Sequence, residues 1–127
     1  MWRRGATTIV VMSDDVVLRR DVPPEIPEDV DDPAVQKASG VLTLPLSVAW
    51  SNVDRLYDLN DRYDRLRVYE QVLAEGTAHD VRTFIRVDEL IELWDDLWLP
   101  RAVELAWTAW LWEHRGVRVP ARHQDNL

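Results

Sequence analysis

The chain has 127 residues, enough for one small domain. Fifteen basic residues against 23 acidic ones leave a formal charge of -8, a balance that repels nucleic acid and anionic lipid and favours basic partners. Cysteine is absent, which excludes disulfides and thiolate metal sites.

Arg3 and Arg4 are followed only by ATTIVVM before Asp14 and Asp15 intervene. No secretory signal is read there, and a cytoplasmic location is expected. Residues 8–18, TIVVMSDDVVL, have the pattern of a short hairpin around Ser13-Asp14-Asp15. Next comes DVPPEIPEDVDDPA, residues 21–34, acidic and rich in proline. Such a composition buries too little apolar area to offset the entropy of ordering, so residues 1–40 are expected to form a flexible acidic leader. VLTLPLSVAW, residues 41–50, is apolar and interrupted by Pro45. Proline lacks an amide donor, so this is an extended arm or edge strand, with Trp50 anchoring its end.

From about residue 60 the period becomes helical. Leu59, Tyr63, Leu66, Tyr69 and Leu73 recur at three- and four-residue steps, with Val72 beside them. Asn60 or Asp61 caps the start, and Gly76 stands where a left-handed residue closes a helix. Thr77 and Asp80 have capping-box spacing for a short helix. Asp88 is placed to cap another, presenting Leu90, Ile91, Leu93, Trp94 and Leu97. Pro100 suits a first helical position, and Gly116 closes a final helix over 100–115. The expected fold class is mainly α: a compact bundle of about four short helices, preceded by the arm. The helical domain spans residues 41–116, and 117–127 form a frayed tail. At about 75 residues such a core yields only ~3–5 kcal/mol, so a partner would help it.

Five of the seven tryptophans lie in ELWDDLWLPRAVELAWTAWLW, residues 92–112. A membrane span needs about 20 largely apolar residues, and here Glu92, Asp95, Asp96, Arg101 and Glu104 interrupt every window. On the final helix Val103, Trp107 and Trp110 share one stripe, while Leu105 and Trp112 lie nearly opposite. A small domain has one inner face, so the second side points to another polypeptide. The expected partner-binding residues are Trp94, Asp95, Asp96, Trp98, Trp107, Trp110 and Trp112, with Trp50 from the arm. An all-core arrangement of the rings is the ordinary alternative, and a base-stacking or small-molecule pocket a third.

No reaction signature is present. His79, His114 and His123 are scattered, the four glycines are isolated, and Ser13, Ser39, Ser47 and Ser51 have no nucleophile context. Glu92 and Asp96 share a helical face, but magnesium would need ligands from a second element; as a solvated face, or against a basic groove on a partner, these acids fit better. Arg55, Arg62, Arg65 and Arg67 alternate with Asp58, Asp61 and Asp64, a salt-bridged surface more than a phosphate track. No enzyme activity, metal or cofactor is expected. A DNA-binding regulator and a self-associating homodimer are the alternatives to a protein-binding module.

The stretch DLNDRYDRLRVYEQVLAEGTAHDVRTFI, with VDELIELWDDLWLPRAVELAW after it, carries Val68-Tyr69-Glu70, Glu75-Gly76-Thr77, Leu93-Trp94-Asp95 and Leu99-Pro100. Over residues 45–112 it resembles small bacterial proteins encoded beside nucleotidyltransferase-fold toxins, the antitoxin partners of such pairs. The resemblance implies direct binding and occlusion of a toxin. Some such antitoxins add a winged-helix DNA-binding domain; no room for one is read in this chain, so autoregulation through it is not expected.

Overall fold

The structure, a computed structural model, describes residues 24–49 and 54–121. Local capping chemistry sets out its helical half. Asp61 accepts the Asp64 amide at 3.0 Å and opens α2, Arg62–Glu75, which buries Val68, Tyr69, Val72 and Leu73. Thr77 and Asp80 cap α3, Ala78–Phe84, reciprocally: the Asp80 amide donates to Thr77 Oγ1 at 3.2 Å and the Thr77 amide to Asp80 Oδ2 at 2.9 Å. The expected capping box is therefore present.

Gly76, between these helices, departs from expectation. Its φ is -77°, an ordinary extended value and not a left-handed one. What the corner requires is space: a Cβ there would stand 2.6 Å from the Val72 carbonyl oxygen and 3.0 Å from Asp80 Cβ. Two helices joined through only Gly76 and Thr77 leave no volume for a side chain at the first of them.

After buried Ile85, α4 covers Val87–Leu93. Asp88, expected as its cap, sits inside the first turn instead; Arg86 holds the cap position, and its amide donates to the Tyr69 hydroxyl at 2.9 Å. A 3-10 turn, Trp94–Asp96, and a short extended run lead to α5, Arg101–Arg115. Pro100 precedes the first helical residue by one position. Gly116, at φ +64°, ends α5 as anticipated, its amide on the Trp112 carbonyl and that of Val117 on Leu111.

The arm is only partly extended. β1, Val41–Leu42, pairs antiparallel with β2, Tyr57–Asp58, in the register Val41↔Asp58 and Leu42↔Tyr57. Pro45 then starts a helical turn, α1 at Leu46–Ala49, where its fixed φ and missing donor cost nothing. Leu44 and Val48 drop into the core beneath. The fold is thus mainly helical, with five α-helices among the described residues where about four were expected; the extra one is this single turn.

Residues 24–40 and 117–121 do not trail away as the composition suggested. Val30 is 1% exposed. Lys37 Nζ donates to the Val30 and Arg82 carbonyls at 2.8 and 2.7 Å, and the Ala38 amide to Thr83. Asp29 pairs with Arg82 and Asp31 with Arg115. Exposed pairs of this kind contribute at most about 1 kcal/mol each, so Val30 is the main anchor and the acids mark its path. At the other end Val119 packs on the core, and Trp94 Nε1 donates to the Pro120 carbonyl at 2.7 Å. The hairpin expected at residues 8–18, Trp50 and residues 122–127 lie outside the described residues.

Gly76→Ala is expected to destabilise the protein by about 1–3 kcal/mol through overpacking, read as a lower urea midpoint with an unchanged m value. Gly116→Ala should cost about 1 kcal/mol for a different reason, the left-handed backbone. A Gly76→Ala protein as stable as the wild type would show the corner to be looser than described.

Candidate interaction surface

The five described tryptophans divide into two groups. Trp94, Trp107 and Trp110 are 3%, 0% and 9% exposed and form core. Trp107 and Trp110 meet edge to face at 5.4 Å, and Trp110 stacks on His114 at 4.4 Å. The Trp107 indole N–H is buried without an acceptor among the described residues. These three rings, expected to meet a partner, have no face left for one. Trp98 and Trp112, by contrast, are 63% and 50% exposed.

Backbone geometry explains Trp98. Leu97 and Leu99 on either side are each 1% exposed. In an extended run successive side chains alternate in direction, so seating both leucines in the core turns the indole between them outward. The Trp98 amide donates to Glu70 Oε2 at 2.9 Å, which fastens the run to α2. Tyr63, Arg67 and Glu70, spaced for one face of α2, continue the surface: Tyr63 is also exposed, and the Arg67 guanidinium lies 5.9 Å from its ring centre. Arg62 Nη2 meets Asp96 Oδ2 at 2.6 Å, linking α2 to the 3-10 turn that carries exposed Asp95 and Asp96. The result is an aromatic strip edged by charge on a fixed backbone.

Trp112 belongs to a separate surface on the outer side of α5. The Arg118 guanidinium sits 4.5 Å from its ring centre. Leu105, Thr108, Ala109 and Val119 help line a groove of about 370 Å³ beside it. Trp98 precedes α5 and Trp112 lies in its last turn, so helical rise alone separates them by about 16 Å along the axis.

Of the four arginines singled out in the sequence, Arg55, ahead of α2, lies 4.0 Å from Asp64, Arg62 meets Asp96, and Arg65 makes one bond, to the Leu59 carbonyl. Among the described residues no group of three acids or histidines is arranged to hold a metal, and no helix is long and apolar enough to cross a membrane. Glu92 is exposed, as are His79 and His114, and His123 lies outside the described residues.

The sequence reading missed one buried polar network. Tyr69, counted in the apolar stripe of α2, donates to Glu89 Oε1 at 2.7 Å while accepting the Arg86 amide. A tyrosine in an otherwise aliphatic stripe is itself the signal, because a buried hydroxyl needs a partner. No protein-family model, curated protein or solved structure matches the chain.

Burial foremost, with the Glu89 carboxylate adding to it, pushes the Tyr69 phenol well above its usual range. The fold therefore favours the protonated form, and this contribution is complete below about pH 10, the unfolded value. It is lost as pH rises above that, at up to about 1.4 kcal/mol per pH unit. Urea unfolding between pH 8 and 11 should show the decline. Tyr69→Phe should remove about 1–2 kcal/mol at pH 8 and flatten it; an equally steep decline in that variant excludes Tyr69 as its cause.

Proposed function

We propose that the chain is a non-enzymatic protein-binding module whose anchor is Trp98. The observation that carries this is an indole 63% exposed on a run pinned by two buried leucines and a hydrogen bond. A side chain of this size buries 150–250 Å² when covered, so seating the exposed part of the ring contributes roughly 3 kcal/mol. That is the scale of an interface hot spot, and the rigid backbone lowers the entropy cost of using it.

The sharper form of the proposal is an antitoxin-like inhibitor of a nucleotidyltransferase-type toxin, which rests on the resemblance over residues 45–112. The strip supports it in one respect. Asp95 and Asp96 precede the anchor, Asp96 shared with Arg62, on a chain of charge -8, a suitable match for a basic pocket that otherwise receives phosphate. Inhibition would be occlusion, with Trp98 and Tyr63 covering the toxin surface. A second reading, self-association, is favoured by the Trp112 groove and is separable by sedimentation of the purified chain.

Calorimetric titration against the nucleotidyltransferase-fold protein of the same locus tests the proposal. Wild type should bind; Trp98→Ala should weaken binding at least about tenfold, or 1.4 kcal/mol, while moving Tm by less than about 2 °C. Trp107→Ala, a core truncation, should instead cost about 3–5 kcal/mol of stability. Absence of wild-type binding removes the toxin, and unchanged binding by Trp98→Ala removes the anchor.

A further inference from the structure

The arginines Arg65 on α2 and Arg86 at the head of α4 line one cavity of about 270 Å³. Glu89 and the buried Tyr69 share it, Leu59 and Phe84 supply apolar wall, and exposed Ser39 and Asn60 stand at its opening. Arg62 is matched with Asp96, Arg82 with Asp29 and Arg115 with both Asp31 and Asp88, while Arg67 and Arg118 lie over aromatic rings. Arg65 and Arg86 stand out by lining one cavity together. Among the described residues neither forms an ion pair; each donates once to a carbonyl, Arg65 Nη1 to Leu59 at 3.1 Å and Arg86 Nη2 to Ala38 at 3.3 Å. A guanidinium carries five N–H donors in a fixed fork, so most of both forks is unused.

Two further observations point the same way. Arg65 Nε is buried with no acceptor among the described residues, a deficit worth about 1–3 kcal/mol that an acceptor would relieve. Within the lining, two guanidiniums face one carboxylate, giving +1 in a chain whose total is -8. Glu89 does not cancel this locally, since it takes the Tyr69 hydroxyl and pairs with neither arginine among the described residues. The neighbouring cavity lined by Lys37 and Arg115 offers no such excess: three cations meet four acids there, and Arg115 is already bridged. Burial first, and then the Arg86 charge, hold the Lys37 ammonium below its usual value.

We propose that this cavity is a binding site for a small oxyanion, a phosphate or carboxylate group held between the forks of Arg65 and Arg86. Guanidinium and oxyanion match in bidentate geometry, and the cavity volume suits such a group with a small organic remainder, not a polymer. Glu89 sets the selectivity. Its charge opposes a second negative group beside it and favours a ligand that turns an N–H or a cation toward it.

The test uses the full chain with inorganic phosphate and, separately, acetate, up to about 20 mM at ionic strength held constant with chloride. Melting temperature and calorimetry should report saturable binding, and the tighter of the two anions identifies the group. Arg86→Gln, an exposed position, should weaken binding about tenfold or more, and Arg65→Gln likewise. Glu89→Gln should strengthen it several-fold, because the lining charge rises while the amide oxygen still accepts from Tyr69. Arg82→Gln, outside the cavity, should leave it unchanged. Should Arg65→Gln fail to fold, Arg86→Gln and Glu89→Gln together still decide. A response that chloride reproduces, that Arg86→Gln retains, or that Glu89→Gln weakens overturns the site.

Discussion

The Asp80 carboxylate, 4% exposed, holds the N-terminal arm and the corner between α2 and α3 in one place. A buried acid is costly unless its oxygens are occupied. Here Oδ2 accepts the Thr77 amide and the Ser47 hydroxyl, the latter at 2.7 Å from a residue 33 positions earlier. At the same corner Gly76 has no room for a side chain, since a Cβ there would press on the Val72 carbonyl oxygen and on Asp80 Cβ. Because Ser47 must reach Asp80, α1 lies where Leu44 and Val48 cover the core. A two-residue strand pair is too short to set the arm's position alone, so this one side chain does much of that work.

What could be read in the sequence follows the range of the interactions concerned. The caps of α2 and α3, and Gly116 at the end of α5, were legible because donor and acceptor lie within a few residues of each other. The docking of residues 24–40 was not, because it depends on Val30 reaching the core and on Asp29 meeting Arg82 and Asp31 meeting Arg115, 53 and 84 positions apart. The fastening of residues 117–121 was hidden for the same reason: it rests on the Trp94 indole. Composition treats an acid as solvated; only the fold shows which cation it meets.

The tryptophans show the same division within one feature. Helical periodicity placed Trp107 and Trp110 on the inner stripe of α5 and Trp112 outside it, and the structure has them so. Trp94 and Trp98 fall where periodicity breaks, on the 3-10 turn and the run after it. There the direction of each indole is decided by its neighbours: Leu97 and Leu99 go in, and Trp98 comes out. Arg65 and Arg86 were invisible as a pair for a related reason, since Arg65 reads as one of four alternating charges until α4 brings Arg86 beside it. The two surfaces also differ in character. The strip around Trp98 is open and suits a macromolecule, whereas the arginine cavity is small and concave.

One last property follows from how the leader is fastened. Lys37 is the sole lysine of the chain, and its amine is occupied by two carbonyls, those of Val30 and Arg82. Any reagent or enzyme that attaches a label, an acyl group or a degradation tag to lysine therefore finds a single handle, and taking it means undoing the clasp on the leader. Ordinary arginine-for-lysine usage has made the protein's side-chain amine chemistry and the attachment of its N-terminal segment one and the same event.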